Sequence, residues 1–148
     1  MNTDEIKKLQ DKSENNLYDS AKVIRSSKIT FIYYLMGITL TIISYLITTL
    51  NEEMIKNLLF LLSISSYSCC FIVGFLFVKK DLEIKYLEYE RGHFLKSQDE
   101  NNFSKSVEKF YAANVVYEKL FDWCIYILFT SFILSILWKL ESLNILNL

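Results

Sequence analysis

The chain has 148 residues, a net charge of −1 and a composition that is 52% hydrophobic and 16% aromatic. This length accommodates one compact unit and excludes a second globular domain of ordinary size. There is no proline and there are only three glycines, which favours long uninterrupted helices over sheets, so we expect an all-α protein.

Three apolar windows are each long enough to cross about 30 Å of hydrocarbon. They cover residues 29–50, 57–78 and 120–138, and their only charged side chain is Asp122, near one end. We therefore predict an integral membrane protein with three transmembrane helices in a single membrane domain, 1–148. Because the first 28 residues are polar, no cleavable signal peptide is expected, and the first span itself is the insertion signal.

Lysine and arginine are unevenly distributed among the segments that connect these spans. Six of the 16 fall in residues 1–28 and eight in residues 79–119, against one in residues 51–56 and one after the third span. Since loops rich in Lys and Arg stay in the cytoplasm, we predict that the N-terminus lies inside and the C-terminus outside. The abundance of Lys, Asn, Ile and Leu is typical of an AT-rich bacterial or phage genome, so we expect a multi-pass protein of the bacterial inner (plasma) membrane.

The predicted segments follow one another with few breaks. We expect the cytoplasmic helix after the second span to end at Gly92 and the polar residues beyond it, and a helix to restart at Ser104. Whether residues 3–50 form one helix or two stays open. In chain order the segments are a cytoplasmic helix (3–28), the first span (29–50), an outer turn (51–56), the second span (57–78), a cytoplasmic helical segment (79–119), the third span (120–138) and an outer tail (139–148).

A polar stripe follows the first helix through its cytoplasmic part and its span. Alternating steps of three and four residues place eleven positions on one helix face, and eight of them are Ser, Thr or Asn. We call this face the polar seam. Its members are Ser13, Asn16, Ser20, Val23, Ser27, Thr30, Tyr34, Gly37, Thr41, Ser44 and Thr48.

Two interpretations of the polar seam compete. In lipid, small residues let helix backbones approach, and hydroxyls bond across helices or to their own carbonyls, so the seam is explained by helix packing. Packing gives no reason for the seam to continue through the cytoplasmic part, whereas a water-filled lumen shared by several copies does. On the second interpretation the pore-lining residues are Ser13, Asn16, Ser20, Ser27, Thr30, Gly37, Thr41, Ser44 and Thr48.

The other two spans also carry small and polar residues, and for these we favour helix packing alone. No disulfide framework is expected from the three cysteines, and one histidine without a CxxC pair offers no zinc ligand set, so we predict no metal and no cofactor. The predicted packing residues are Ser63, Ser66, Cys70 and Gly74 in the second span and Cys124, Ser131 and Ser135 in the third.

Basic residues cluster near the inner ends of the first two spans. Snorkelling to lipid headgroups explains them, although in an oligomer they also offer a ring for an anionic ligand. A lone histidine beside Arg91 is a weaker candidate for ligand contact or pH sensing. The candidate ligand-binding residues are Lys22, Arg25, Lys28, Lys79, Lys80, Arg91 and His93.

No catalytic constellation is present in the sequence. It contains no Gly-rich phosphate loop, no paired acids within a span and no nucleophile with a histidine base, so we do not expect an enzyme. The spans also hold no Gly or Pro break of the kind that builds transporter binding sites at the middle of the bilayer.

The layout as a whole suggests a family. A charged helix from Asp4 to Lys28, a short-looped hairpin of spans and a second charged helix from Lys79 to Lys96 resemble the SLATT-like small membrane effectors of bacterial anti-phage defence, and are similar to the membrane effector of Hailong-type systems. The resemblance implies a multimeric channel that permeabilises or depolarises the inner membrane. It also implies control by a nucleotide or oligonucleotide made by a partner nucleotidyltransferase.

Our leading prediction is therefore a homo-oligomeric transmembrane channel of four or more copies, with membrane lipid and itself as partners. One alternative is a non-conducting membrane subunit that docks a cytoplasmic protein through Leu82, Tyr86, Tyr89 and Phe94. A phage holin is another, since small size and three spans fit. The usual three-span holin has its N-terminus outside, opposite to the charge bias observed here.

Overall fold

A computed structural model describes residues 3–50, 57–97 and 100–143, and within them all side chains except those of residues 3–15, 17, 18 and 95. All three described elements are α-helices: α1 (Thr3–Thr48), α2 (Leu58–Ser97) and α3 (Glu100–Ser142). The predicted outer turn, 51–56, and residues 144–148 of the predicted outer tail lie outside the described residues.

Each helix is long and apolar enough to cross a membrane, as the sequence predicts. The all-helical fold and the three candidate spans are thereby confirmed. Which end of each helix faces the cytoplasm stays a prediction from the distribution of Lys and Arg.

The open question about the first helix is answered by its continuity, since α1 runs from Thr3 to Thr48 without a break. Two units are described separately: residues 3–31, which are the first part of α1, and residues 32–143, which contain the rest of α1 with α2 and α3.

The predicted boundary is correct for the polar stretch, since α2 ends at Ser97 within it. It is wrong for Gly92, through which α2 continues, and α3 begins at Glu100 rather than Ser104. A glycine inside a helix costs only about 1 kcal/mol relative to alanine, which tertiary packing offsets. Here the Arg91 guanidinium carbon lies 4.7 Å from the centre of the Phe110 ring, so α3 contacts α2 beside the glycine.

α2 and α3 pack as an antiparallel hairpin along most of their length. At one end the side-chain amide of Asn57 donates to the Glu141 carboxylate at 2.7 Å, and its oxygen accepts from the Phe60 backbone N–H at 3.1 Å. Asn57 therefore caps α2 and joins it to α3. Further along, Phe77 is fully buried with its ring centre 4.2 Å from that of Tyr117.

The part of α1 from residue 32 onward packs against this hairpin. Leu46 contributes to a buried cluster with Phe60 and Tyr67 of α2. Closer to the middle of α2, Gly74 is buried so tightly that an added Cβ atom would lie 2.8 Å from Met36 Cγ. A small residue is therefore needed at this helix crossing.

Candidate functional site

From residue 32 onward, the polar seam and the packing face lie on opposite sides of α1. Ile32, Leu35, Thr39 and Leu46 are buried. At about 100° per residue, these four lie within about 40° of the direction of Thr39, whereas the seam members between residues 37 and 48 lie within about 40° of the opposite direction. Those seam members, Gly37, Thr41, Ser44 and Thr48, are all exposed.

The seam threonines bond to carbonyls of their own helix. Thr41 Oγ1 donates to the Gly37 carbonyl at 2.9 Å, and Thr48 Oγ1 donates to the Tyr45 carbonyl at 2.9 Å. These bonds satisfy the hydroxyl hydrogens and leave oxygen lone pairs on the exposed surface. The outer face of α1 thus presents hydrogen-bond acceptors within an apolar span.

The first part of the seam belongs to the unit 3–31. Asn16, Ser20, Ser27 and Thr30 are all exposed, and Thr30 Oγ1 donates to the Ser26 carbonyl at 2.9 Å. The backbone of Ser13 belongs to α1, but its side chain lies outside the described residues. Every seam position with a described side chain is therefore exposed.

The polar residues of α2 and α3 are arranged in the opposite way. The hydroxyl oxygens of Ser66 and Ser131 lie 2.7 Å apart across the two helices, and Ser135 Oγ donates to Tyr67 Oη at 3.2 Å. Ser63 is fully buried, and its hydroxyl has no hydrogen-bond partner among the described residues. The predicted packing role of these serines is confirmed by their burial or contacts.

Two cysteines meet at this same interface. Cys70 Sγ lies 3.8 Å from Cys124 Sγ, and both residues are buried, whereas the neighbouring Cys69 is exposed. The sequence predicts that Cys70 and Cys124 each face a helix interface. It does not reveal that the two face each other, because 54 residues separate them and the register between the helices is not encoded in either span alone.

The candidate ligand-binding residues of α2 do not form one cluster. Lys80 and Arg91 are separated by about 17 Å along the helix axis. Lys80 Nζ pairs with the Glu83 carboxylate at 2.7 Å, and the Arg91 guanidinium stacks on Phe110. Lys79 and His93 are exposed.

The remaining candidates are in the unit 3–31. Lys22 is exposed, and Arg25 and Lys28 are half-buried. The three recur along α1 at spacings of three, so they share a broad helix face. This unit therefore presents three basic side chains within two helical turns.

One buried acid lies just beyond the predicted second span. Asp81 is only 1% exposed, and its carboxylate lies 2.7 Å from Lys85 Nζ. An acid followed by Lys four residues later has the spacing of an ordinary surface pair, so the sequence carries no signal of this burial. Within residues 3–50, 57–97 and 100–143, no group of three or more His, Cys, Asp or Glu side chains is arranged to hold a metal ion.

Beyond the span, α2 also carries an exposed apolar face. Leu82, Tyr86 and Tyr89 follow one another at spacings of four and three, and they are exposed by 61%, 64% and 74%. Phe94, the fourth residue of the predicted docking surface, is half-buried.

No family model, curated protein or solved structure matches the chain. The SLATT-like resemblance therefore stays a prediction from the layout of charged and apolar segments.

Proposed function

We propose that the protein is a homo-oligomeric membrane channel whose lumen is lined by the polar seam of α1. The observation that carries this proposal is the exposure of the seam within a span long and apolar enough for a membrane. Hydroxyls that bond to their own helix keep free acceptor lone pairs, which a second helix or water satisfies and lipid does not. Several copies arranged with their seams inward supply both.

The exposed face of α3 supports this interpretation by contrast. It carries Phe129, Phe132, Ile133 and Ile136, each more than half exposed, and a single exposed threonine, Thr130, lies among them. Large apolar side chains are what a face directed at lipid tails carries, because lipid offers no hydrogen bonds. In the proposed assembly α3 faces lipid and α1 faces the axis.

The lumen of such an assembly has an uncharged polar lining. Between residues 29 and 50 the seam contributes hydroxyls, a glycine and Tyr34, and no Asp, Glu, Lys, Arg or His. The sequence pattern alone predicts that the lining continues through Asn16, Ser20 and Ser27 into an extension beyond the membrane. Following the distribution of Lys and Arg, we place this extension in the cytoplasm of a bacterial cell, with the spans in the inner membrane.

The SLATT-like resemblance adds control by a ligand to the proposed channel. A nucleotide or oligonucleotide carries phosphates that Lys and Arg bind through charge-assisted hydrogen bonds. Lys22 of the unit 3–31 and, separately, Lys79 of α2 are exposed, and each is a candidate contact for such a ligand. In this proposal the channel acts as a defence effector that depolarises the cell.

A second candidate function is favoured by the exposed apolar face of α2. Leu82, Tyr86 and Tyr89 lie beyond the span, where three large apolar side chains in water favour a protein partner. On this view the protein is a non-conducting membrane subunit, and a partner recovered from detergent extracts in fixed ratio binds through this face. The triple variant Leu82→Ser, Tyr86→Ser, Tyr89→Ser is then expected to lose the partner.

Conductance of the purified protein in planar bilayers tests the channel directly. We expect discrete currents from the wild type and none from a Thr41→Leu, Ser44→Leu double variant, because leucine replaces the acceptors of the lumen and narrows it. The matched control is Thr130→Leu. Thr130 is also exposed and also bonds its own helix, with Oγ1 2.9 Å from the Tyr126 carbonyl, but it lies on α3.

Assembly is measured in parallel by light scattering of the detergent-solubilised protein. Currents that vanish in an assembled double variant and persist in Thr130→Leu support the assignment. Unchanged currents in the double variant contradict it. Silence from an assembled wild type leaves either a channel that is closed without its ligand or the docking candidate, and it leads to the search for a partner.

A further inference from the structure

Cys70 of α2 and Cys124 of α3 bring two thiols of different helices into contact. Their Sγ atoms lie 3.8 Å apart, and each thiol also approaches the other residue's backbone carbonyl, at 3.6 Å for Cys70 Sγ and 3.9 Å for Cys124 Sγ. This reciprocal arrangement requires the backbones of α2 and α3 to be close at this level. A disulfide needs the same closeness, with its sulfurs about 2.05 Å apart.

We propose that Cys70 and Cys124 form an oxidation site, at which an apolar two-electron oxidant dissolved in the bilayer converts the two thiols into a disulfide that staples α2 to α3. To form the bond, the sulfurs must approach by about 1.8 Å from their separation of 3.8 Å. The inference goes beyond the proposed channel and does not depend on whether the seam conducts.

The reaction balances in two displacement steps, shown here for molecular iodine as the oxidant. The first thiol attacks iodine, so that an S–I bond forms, the I–I bond breaks, and one proton and one iodide leave. The second thiol then attacks the iodinated sulfur, so that the S–S bond forms, the S–I bond breaks, and a second proton and iodide leave. Two thiols have lost two electrons, and one iodine molecule has gained them.

Because the two thiols are buried, only oxidants that dissolve in the apolar span reach them. Burial also keeps water away from a sulfur that has been activated. Cys70 is 1% exposed and Cys124 is not exposed, and both lie in helices apolar enough to span a membrane. Charged oxidants dissolve poorly in hydrocarbon, whereas iodine is apolar. Once one sulfur is activated, the nearest nucleophile is the other thiol rather than water, so the disulfide forms in preference to an oxygenated sulfur.

Cys69 provides an internal control, because it is exposed and adjacent in sequence to Cys70. In a helix, neighbouring residues project about 100° apart, so Cys69 points away from the interface that holds Cys124. The proposal therefore predicts a Cys70–Cys124 bond and excludes Cys69 from it.

The test treats the folded protein, in lipid vesicles, with stoichiometric iodine. The protein is then unfolded, its free thiols are counted, and its peptides are mapped by mass spectrometry without reduction. We expect the wild type to fall from three free thiols to one, and a peptide containing Cys70 to be linked to one containing Cys124. The Cys69→Ser variant should fall from two free thiols to none through the same link.

Reduction after iodine treatment should restore all three thiols of the wild type. The Cys124→Ser variant should give no linked peptide between α2 and α3. Should that variant fail to fold, the wild-type peptide map decides the question alone. A map without the Cys70–Cys124 link, or with Cys69 linked to either residue instead, overturns the proposal.

Discussion

Small and hydroxyl residues form stripes on both α1 and the α2–α3 hairpin, yet the two stripes meet different surroundings. On α1 the hydroxyls of Thr41 and Ser44 are exposed on the side opposite the packing face. On the hairpin, Ser131 is fully buried and its hydroxyl meets that of Ser66 at 2.7 Å. The same residue types thus line an open surface in one place and a closed helix contact in the other.

Hydrogen bonds from a hydroxyl to a carbonyl of its own helix occur in both stripes, so they do not distinguish the two. Ser131 Oγ lies 2.7 Å from the Ile127 carbonyl of its own helix, just as Thr41 Oγ1 lies 2.9 Å from that of Gly37. The distinguishing feature is the second polar neighbour, which Ser131 finds on another helix of the same copy. In the proposed assembly, the second polar neighbour of Thr41 is a water molecule or a residue of another copy.

Replacing one hydroxyl residue of each stripe by leucine gives the largest expected difference in the free energy of unfolding. Ser131→Leu forces a large side chain into a closed contact and removes a hydrogen bond, so we expect it to lower the free energy of unfolding by about 2 to 4 kcal/mol. Ser44→Leu adds a side chain on an exposed face and should change that free energy by less than about 0.5 kcal/mol. Unfolding in mixed micelles with increasing dodecyl sulfate measures both.

If Ser131→Leu and Ser44→Leu lower the free energy of unfolding equally, the two stripes do not differ in how closely they are packed. Such a result would mean that Ser44 also packs tightly within one folded copy. The wild type and Thr130→Leu, which changes an exposed hydroxyl of α3, provide the baseline for substitutions that contact only detergent.

Two glycines provide the next comparison. An added Cβ at Gly74 would lie 2.8 Å from Met36 Cγ and 3.2 Å from its sulfur, whereas nothing lies within 4 Å of one added at Gly37. We expect Gly74→Val to lower the free energy of unfolding by about 1 to 3 kcal/mol through overpacking. Gly37→Val should leave it nearly unchanged.

Shortening the side chain of Met36 tests whether its contact with residue 74 causes the loss of stability. Combining Gly74→Val with Met36→Ala should recover part of the lost stability, because the added methyl groups then occupy the space that Met36 leaves. If the double variant is no more stable than Gly74→Val alone, the effect of the valine does not arise from this contact.

The fold was largely predictable because its main determinants are local. Helix formation and span length follow from apolar windows without proline. The three predicted spans fall on α1, α2 and α3, and only residues 49, 50 and 57 of them lie outside these helices. Gly92 does not end α2, and the contact of Arg91 with Phe110 beside it joins residues of different helices. Such a contact outweighs the small local cost of glycine but leaves no trace in the local sequence.

The candidate site was predictable only in part, for a related reason. Helical periodicity places Thr41 and Ser44 on one face, but it does not say whether that face points into the protein or away from it. Likewise, the contact of Cys70 with Cys124 depends on the register of α2 against α3. Packing such as that of Phe77 on Tyr117 sets this register, and a single span does not encode it.

The smallest predicted effect is the coupling free energy between Ser131 and Ser66, its polar neighbour on the other helix. A double-mutant cycle with Ser66→Ala and Ser131→Ala should give a coupling free energy of about 0.6 kcal/mol, the usual value for a hydrogen bond between helices in a membrane protein. A control cycle pairs Ser66→Ala with Thr130→Ala. It should give a coupling near zero, because Thr130 is exposed and bonds the carbonyl of Tyr126.

Equal coupling in the two cycles would show that the short distance between Ser66 and Ser131 contributes nothing specific to stability. The hairpin stripe would then be held by close approach of its small residues alone. Hydroxyls on both stripes would in that case be tolerated for their size and their bonds to their own helix, and only conductance would still separate the seam of α1 from the interface of α2 and α3.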